Sequence, residues 1–399
     1  MIFIRTFILA LVVPVMIARG QDWSLTTADF HTQPAVLRAL SSDGLHVILP
    51  DSAAEHVIPF DQFVSAQRPL SDQPAAPKFT LLLAGGDRLV GQPGEVSGEK
   101  LIWISPSLGK VPASINRMVA IGRGDEVALP DEPPRQDVVT LVNGDSVAGV
   151  FTNFADNNVT IQTDAGPTPV PLPSIARIVF AATPSAVVSS DRAFRLRLND
   201  GSIITAADAT IDGDHLTLTL PGKNQSPIQL PLSDLHSIEQ LNGPVSWLSC
   251  RAPTENVQTP YIGGAPQWPA RFDSAVDGSP LQFDGRRFDH GIGVHAYSRL
   301  TFAVDPQWTT FRTQYAIDSR RENPSTLADV TVRIKVDGKL VHEQTHVRQG
   351  VLSPVITVDL KDAKLLTLEC DYGDAGDTQA RLNWLQPALL RETKMENRR

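Results

Sequence analysis

Val330-Thr331-Val332-Arg333-Ile334-Lys335-Val336 alternates apolar and polar residues without a break, and Asp337-Gly338 follows at once. Alternation with a period of two puts every apolar side chain on one face, so the stretch reads as a half-buried β-strand. Asp-Gly tolerates the positive φ of a tight turn, and Leu340 and Val341 return as the second strand of a hairpin. Val355 to Val358 and Leu366 to Cys370 are further short strands. With no helical period between them, residues 243–391 are expected to form an antiparallel, jelly-roll-like β-sandwich.

Upstream of the sandwich a pattern repeats. Leu83-Ala84-Gly85-Gly86-Asp87, Leu141-Val142-Asn143-Gly144-Asp145 and Leu198-Asn199-Asp200-Gly201-Ser202 each carry a turn, and Gly86, Gly144 and Gly201 recur at intervals of 58 and 57 residues. Fifteen residues after each of these glycines an apolar pair begins: Leu101/Trp103, Val159/Ile161 and Leu216/Leu218. Each unit closes with an apolar-Pro step, at Val111-Pro112, Val170-Pro171 and Leu230-Pro231. A period of this regularity marks repeated supersecondary units. The expected units are residues 79–136, 137–190 and 191–242. A partial copy in residues 21–78, Ile58-Pro59-Phe60 after Leu45 to Leu49, lacks the opening hairpin. Four or five short strands per unit bend into a small barrel. The units resemble SH3-like or Sm-like barrels, some of which bind RNA; the acidic balance of this chain favours a spacer or a protein-contact surface instead. The fold class is mostly β.

The 399 residues exceed one ordinary core, and 31 prolines and 27 glycines suit many strands joined by turns. The net charge of −9, without a Lys/Arg cluster, argues against a nucleic-acid partner and against docking on an anionic membrane. Residues 1–20 read as a signal peptide: Arg5, an apolar run from Phe7 to Ile17, then Ala18-Arg19-Gly20. Cleavage before Gln21 predicts a secreted or periplasmic protein with no membrane span; an uncleaved anchor is the alternative reading. Cys250 and Cys370 are the two cysteines, and either one disulfide or two buried thiols fits an oxidising compartment.

Phe288-Asp289-His290-Gly291-Ile292-Gly293-Val294-His295-Ala296, Asp337 to Lys339, the loop Asp371-Tyr372-Gly373-Asp374-Ala375-Gly376-Asp377 and the closing Trp384 occur in an order that resembles the NPCBM domains. The resemblance covers about residues 244–391. It implies a galactose-binding-like jelly roll and carbohydrate binding, since family members occur beside glycoside hydrolase domains. The chain departs from the family at Asn383, where an aspartate is usual, and at Arg381, where the family tends to be acidic or histidine-rich.

Sugar recognition pairs an aromatic face with polar groups that orient hydroxyls. Trp268, in a Gly- and Pro-rich loop, is the aromatic candidate, and the alternative is a plug in the core. Arg320 and Arg321 are candidate donors, His295 is the signature histidine, and Asp374 lies in the late loop. Asp371, Asp374 and Asp377 are candidates for a structural calcium; otherwise no cofactor is expected. His290 and His295 lack a third ligand nearby in sequence, so hydrogen-bonded histidines are expected rather than a zinc site. No Gly-x-Ser-x-Gly elbow, His-Glu-x-x-His or phosphate loop occurs, and no enzymatic activity is expected. The expected partner is therefore a glycan or polysaccharide, with proteins as further partners of the repeats. A structural protein of the cell envelope and a glycoside hydrolase with an unfamiliar site are the alternatives.

Overall fold

The computed structural model describes residues 23–52, 54–69, 79–124, 127, 129–130, 133–181, 191–222, 226–264, 268–320 and 324–391. The expected signal peptide, Arg321 and the tail 392–399 lie outside the described residues. Among the described residues no helix is long and apolar enough to cross a membrane.

Four units of one design precede the sandwich. The first comprises β1 (Trp23–Thr27), β2 (Thr32–Ser41), β3 (Gly44–Ile48), β4 (Glu55–Ile58) and β5 (Phe63–Gln67). The second comprises β6 (Phe79–Leu83), β7 (Arg88–Ser97), β8 (Lys100–Ser105), β9 (Gly109–Ser114) and β10 (Met118–Arg123). The third is β11 (Asp137–Leu141), β12 (Ser146–Ala155), β13 (Asn158–Thr163), β14 (Gly166–Pro171) and β15 (Ile175–Val179). In the fourth, β16 (Ala193–Leu198) is followed by a second strand split into β17 (Ile203–Ala206) and β18 (Asp208–Asp212). Then come β19 (His215–Thr219), β20 (Ile228–Pro231) and β21 (Leu235–Leu241).

In every unit the first strand lies between the fifth and the second, and the third and fourth continue the meander. The apolar-Pro closings become the fourth strand and, in units two to four, a single turn of 3-10 helix leading into the fifth. The repeat is thus a repeat of core positions. Leu25, Leu81, Val139 and Leu196 are all 0% exposed and face Ala66, Ile121, Ile178 and Ile238 across the first-to-fifth pairing. The third-strand pairs Leu101/Trp103, Val159/Ile161 and Leu216/Leu218 are also buried, and Leu45/Val47 is their equivalent in unit one.

The sequence shows only a partial first copy, and here the structure corrects it: β1 and β2 supply the missing hairpin. Its turn has no glycine. Phe30 takes a φ of 62° instead, and the Asp29 carboxylate accepts the Thr27 hydroxyl and the His31 amide.

The units pair in a nested order. Fifth strands β5 and β21 join units one and four, with Ala66 opposite Ile238, and β10 and β15 join units two and three, with Ile121 opposite Ile178. A bridge between Ile203 and Arg88 links the two pairs.

The sandwich begins with β22 (Val245–Trp247) and β23 (Glu255–Gln258), then the short β24 (Arg271–Phe272), β25 (Gln282–Phe283) and β26 (Arg286–Arg287). There follow β27 (Gly291–His295), β28 (Ser298–Ala303), β29 (Trp308–Ile317), β30 (Val330–Val336), β31 (Lys339–Val347), β32 (Ile356–Asp359), β33 (Leu365–Tyr372) and β34 (Arg381–Arg391). One sheet runs β24-β27-β34-β29-β32, with β22 also on β34; the other runs β23-β28-β33-β30-β31. Ile292, Leu300, Phe311, Val332, Ile334, Leu368 and Trp384 meet between them. The Val330–Val336 alternation is seen in β30, where Val330, Val332 and Ile334 are 0% exposed. Its Arg333 and Lys335 both pair with Glu369 on β33.

The array and the sandwich touch through Val64, Val245, Trp247 and Ala388. Phe30 sets its edge on the Trp247 ring at 5.8 Å, so the hairpin of unit one is part of this contact.

Candidate functional site

The signature glycines act through close approach. A Cβ on Gly293 would lie 2.3 Å from the Val276 nitrogen and 2.6 Å from the Ser274 oxygen, and one on Gly291 would lie 2.5 Å from the Trp384 carbonyl. Without side chains there, β27 lies flat against both β34 and the 273–276 loop. That placement delivers His295 to the end of the strand, at the mouth of an open pocket of about 520 Å³. Gln258, Trp268, Tyr297, Asp377 and Arg381 line it with His295.

Trp268 is 40% exposed, so it is no core plug, and its ring lies nearly parallel to the His295 imidazole, 5.8 Å away at 14°. The Ala296 carbonyl accepts from His295 Nδ1 at 3.0 Å, which fixes the proton there and leaves Nε2 as an acceptor. Burial pushes this imidazole below its ordinary value, so the ring is neutral at neutral pH. Gln258 donates to Asn256 and Ser298, while its buried side-chain oxygen has no partner. Asp377 accepts the Tyr261 amide at 3.0 Å. The rim carries exposed Ile262, at 83%. The pocket therefore offers an aromatic wall, the neutral His295 acceptor and one carboxylate.

The other expected site residues go elsewhere. Arg320 is engaged by Asp277 and, at 3.1 Å, by Asp318, away from the pocket lining. Asp371 pairs with Arg333 at 2.6 Å, and Asp374 stands 3.8 Å from His346, whose Nδ1 is 3.2 Å from Asp329. Asp371, Asp374 and Asp377 thus serve three different partners and do not converge. Arg381 lines the pocket yet donates to the Ser325 hydroxyl and the Pro324 carbonyl. Asn383 is 1% exposed within the sandwich, so its departure from the family lies off the pocket. The cysteines are not joined: Cys250 is exposed and Cys370 buried. Gln258 went unpredicted, because nothing in its local sequence separates it from any other strand-end glutamine.

His290 does not share the pocket with His295. It lies at the contact with the array, stacked on Trp247 at 4.5 Å, with Nε2 3.1 Å from Glu239 of β21 and Nδ1 3.3 Å from Asp273.

Two sheets around one core, with a pocket at the end of β27, define a galactose-binding-like β-sandwich. Residues 246–390 match the family model described as the NPCBM/NEW2 domain. A "Putative endo-alpha-N-acetylgalactosaminidase" of Renibacterium salmoninarum is 25% identical over 114 residues, which are 29% of this chain and 7% of that protein. Among solved structures, CBM51 from Clostridium perfringens GH95 with methyl-galactose is 18% identical, over 36% of this chain and 99% of that one, with a TM-score of 0.32. The CBM51-2 and INT domains of Clostridium perfringens ZmpB, with GlcNAc, are 19% identical, over 46% and 37% of the two chains, with a TM-score of 0.33.

Proposed function

We propose that this is an exported, non-catalytic glycan-binding protein whose sandwich holds a sugar in the Trp268–His295 pocket. The repeat array then acts as a spacer or contact surface. The observation that carries the reading is the pairing of a part-exposed tryptophan face with a neutral imidazole acceptor. An aromatic plane packs on the C–H face of a sugar ring, and His295 Nε2 accepts from a hydroxyl. The NPCBM match and the glycan-bound CBM51 structures support the same ligand class. Glycoside hydrolysis commonly uses two facing carboxylates, and among the described residues the pocket wall supplies only Asp377.

The test is a glycan-array screen of the full chain beside its Trp268→Ala variant. Selective binding that disappears in the variant supports the proposal. Silence of the folded chain across a broad array would move the assignment to a structural or protein-contact role.

A further inference from the structure

At the junction of array and sandwich, Cys250, Asp273 and His290 each present one donor atom, and these atoms lie within 4.8 Å of one another. Donors around a tetrahedral zinc ion stand about 3.3–3.8 Å apart, given Zn–N, Zn–O and Zn–S bonds of about 2.0–2.3 Å. His290 Nδ1 and Asp273 Oδ1 are already at 3.3 Å.

The imidazole is aimed from outside the cluster. Its Nε2 faces Glu239 Oε1 at 3.1 Å, that same oxygen accepts Trp247 Nε1 at 2.6 Å, and the indole stacks on the ring. A carboxylate on the far nitrogen is the usual support of a metal-bound histidine, since it orients the ring and raises its basicity. Asp273 is aimed as well, by the Gly291 amide on its Oδ1. Ser249, 8% exposed and next to Cys250, sets its hydroxyl against the Asp273 carboxylate and helps to hold it in place. Exposed Cys250 gives the ion its way in.

We infer that Cys250 Sγ, His290 Nδ1 and Asp273 Oδ1 bind a zinc-class divalent cation, with a fourth position open to solvent. Mixed sulfur, nitrogen and oxygen donors select this class over calcium and magnesium, which take oxygen ligands. Binding displaces the thiol proton and the Nδ1 proton to solvent. Without metal, burial opposes a charge on His290, but Glu239, Asp273 and Cys250 outweigh it and hold the imidazole well above its usual value. Because Glu239 belongs to unit four and the ligands to the sandwich, the site is complete only when the two are docked.

The experiment titrates the full chain, stripped with a chelator, with cobalt(II), and then adds zinc chloride. The expected result is a near-ultraviolet thiolate-to-cobalt charge-transfer band that saturates at one ion per chain and is displaced by zinc. It is absent in Cys250→Ser, and Glu239→Gln weakens affinity about 10- to 100-fold. A second measurement needs no variant: zinc chloride should slow alkylation of Cys250 in the wild-type chain. No band, a band that survives Cys250→Ser, or unprotected alkylation overturns the inference. Each of these readouts is independent of glycan binding.

Discussion

Arg68 and Arg123 occupy equivalent positions at the ends of the fifth strands of units one and two, and each holds the closing turn of the unit it pairs with. Arg68 donates to the Leu232 and Ser233 carbonyls of unit four. Arg123 donates to Leu172, Pro173 and Ile175 of unit three. Each guanidinium also lies over the first-strand aromatic of its own unit, Trp23 at 5.0 Å and Phe79 at 4.9 Å. The return contact across the first pair is made by Gln240, which donates to the Phe60 carbonyl, the counterpart of Leu232. The array is thus held by a copied clamp.

Removing that clamp should be felt unequally. Arg68 is 8% exposed, so Arg68→Ala removes a buried charged donor from carbonyls that keep only the Leu235 amide and the Asn199 side chain, and should cost about 2–3 kcal/mol in urea unfolding. Arg123 is exposed, and Arg123→Ala should cost about 1 kcal/mol. Equal losses would contradict the clamp's dependence on burial.

Trp268→Ala should separate binding from folding. The side chain is 40% exposed, so the melting temperature should hardly move. Losing an aromatic platform worth about 1.5–3 kcal/mol should weaken glycan binding about 10- to 150-fold by calorimetry. A large drop in melting temperature would instead make Trp268 a packing residue.

Gly293→Ala tests the close approach in β27. The obstructing atoms are backbone, 2.3–2.6 Å from the new methyl, and cannot swing aside. The variant should lose at least about 3 kcal/mol or fail to fold. Gly285→Ala has open space around its Cβ and only a φ of +76° to strain it, so about 1 kcal/mol is expected. Circular dichroism melts of the two decide.

His295 gives the pocket a direction of pH response. Burial lowers its folded-state value below 6.5, so the unfolded chain takes up this proton first as pH falls. Its contribution to stability is complete above that pH and is lost below it, down to the folded-state value. Protonation also removes the Nε2 acceptor, so glycan affinity should fall on acidification. Imidazole NMR of the full chain should show a midpoint below 6.5; one above it would reject this assignment.

What the sequence revealed was local in nature. Turn glycines, apolar pairs such as Leu216/Leu218 and the Val330–Val336 alternation act between neighbours, and they appear as turns and strands respectively. The opening hairpin of unit one escaped because Phe30, not a glycine, takes the positive φ in its turn. Trp268 and His295 were found separately, one by a glycine- and proline-rich loop and one by a family signature; their stacking is a product of tertiary structure. Glu239, Cys250, Asp273 and His290 come from four separate stretches, so no sequence spacing could join them. Arg320 read as a free donor because Asp277 is distant in sequence.

The nested pairing of units orders events along a growing chain. Units two and three are neighbours in sequence, so β10 meets β15 after a short wait. Unit one leaves the ribosome first, yet β5 must stay an open edge until β21 is made, with two whole units still to come. Pulse-labelled hydrogen exchange should therefore protect β10 and β15 before β5. The pairing closes like brackets, from the inside outward, and the earliest part of the array to be synthesised is the last to be sealed.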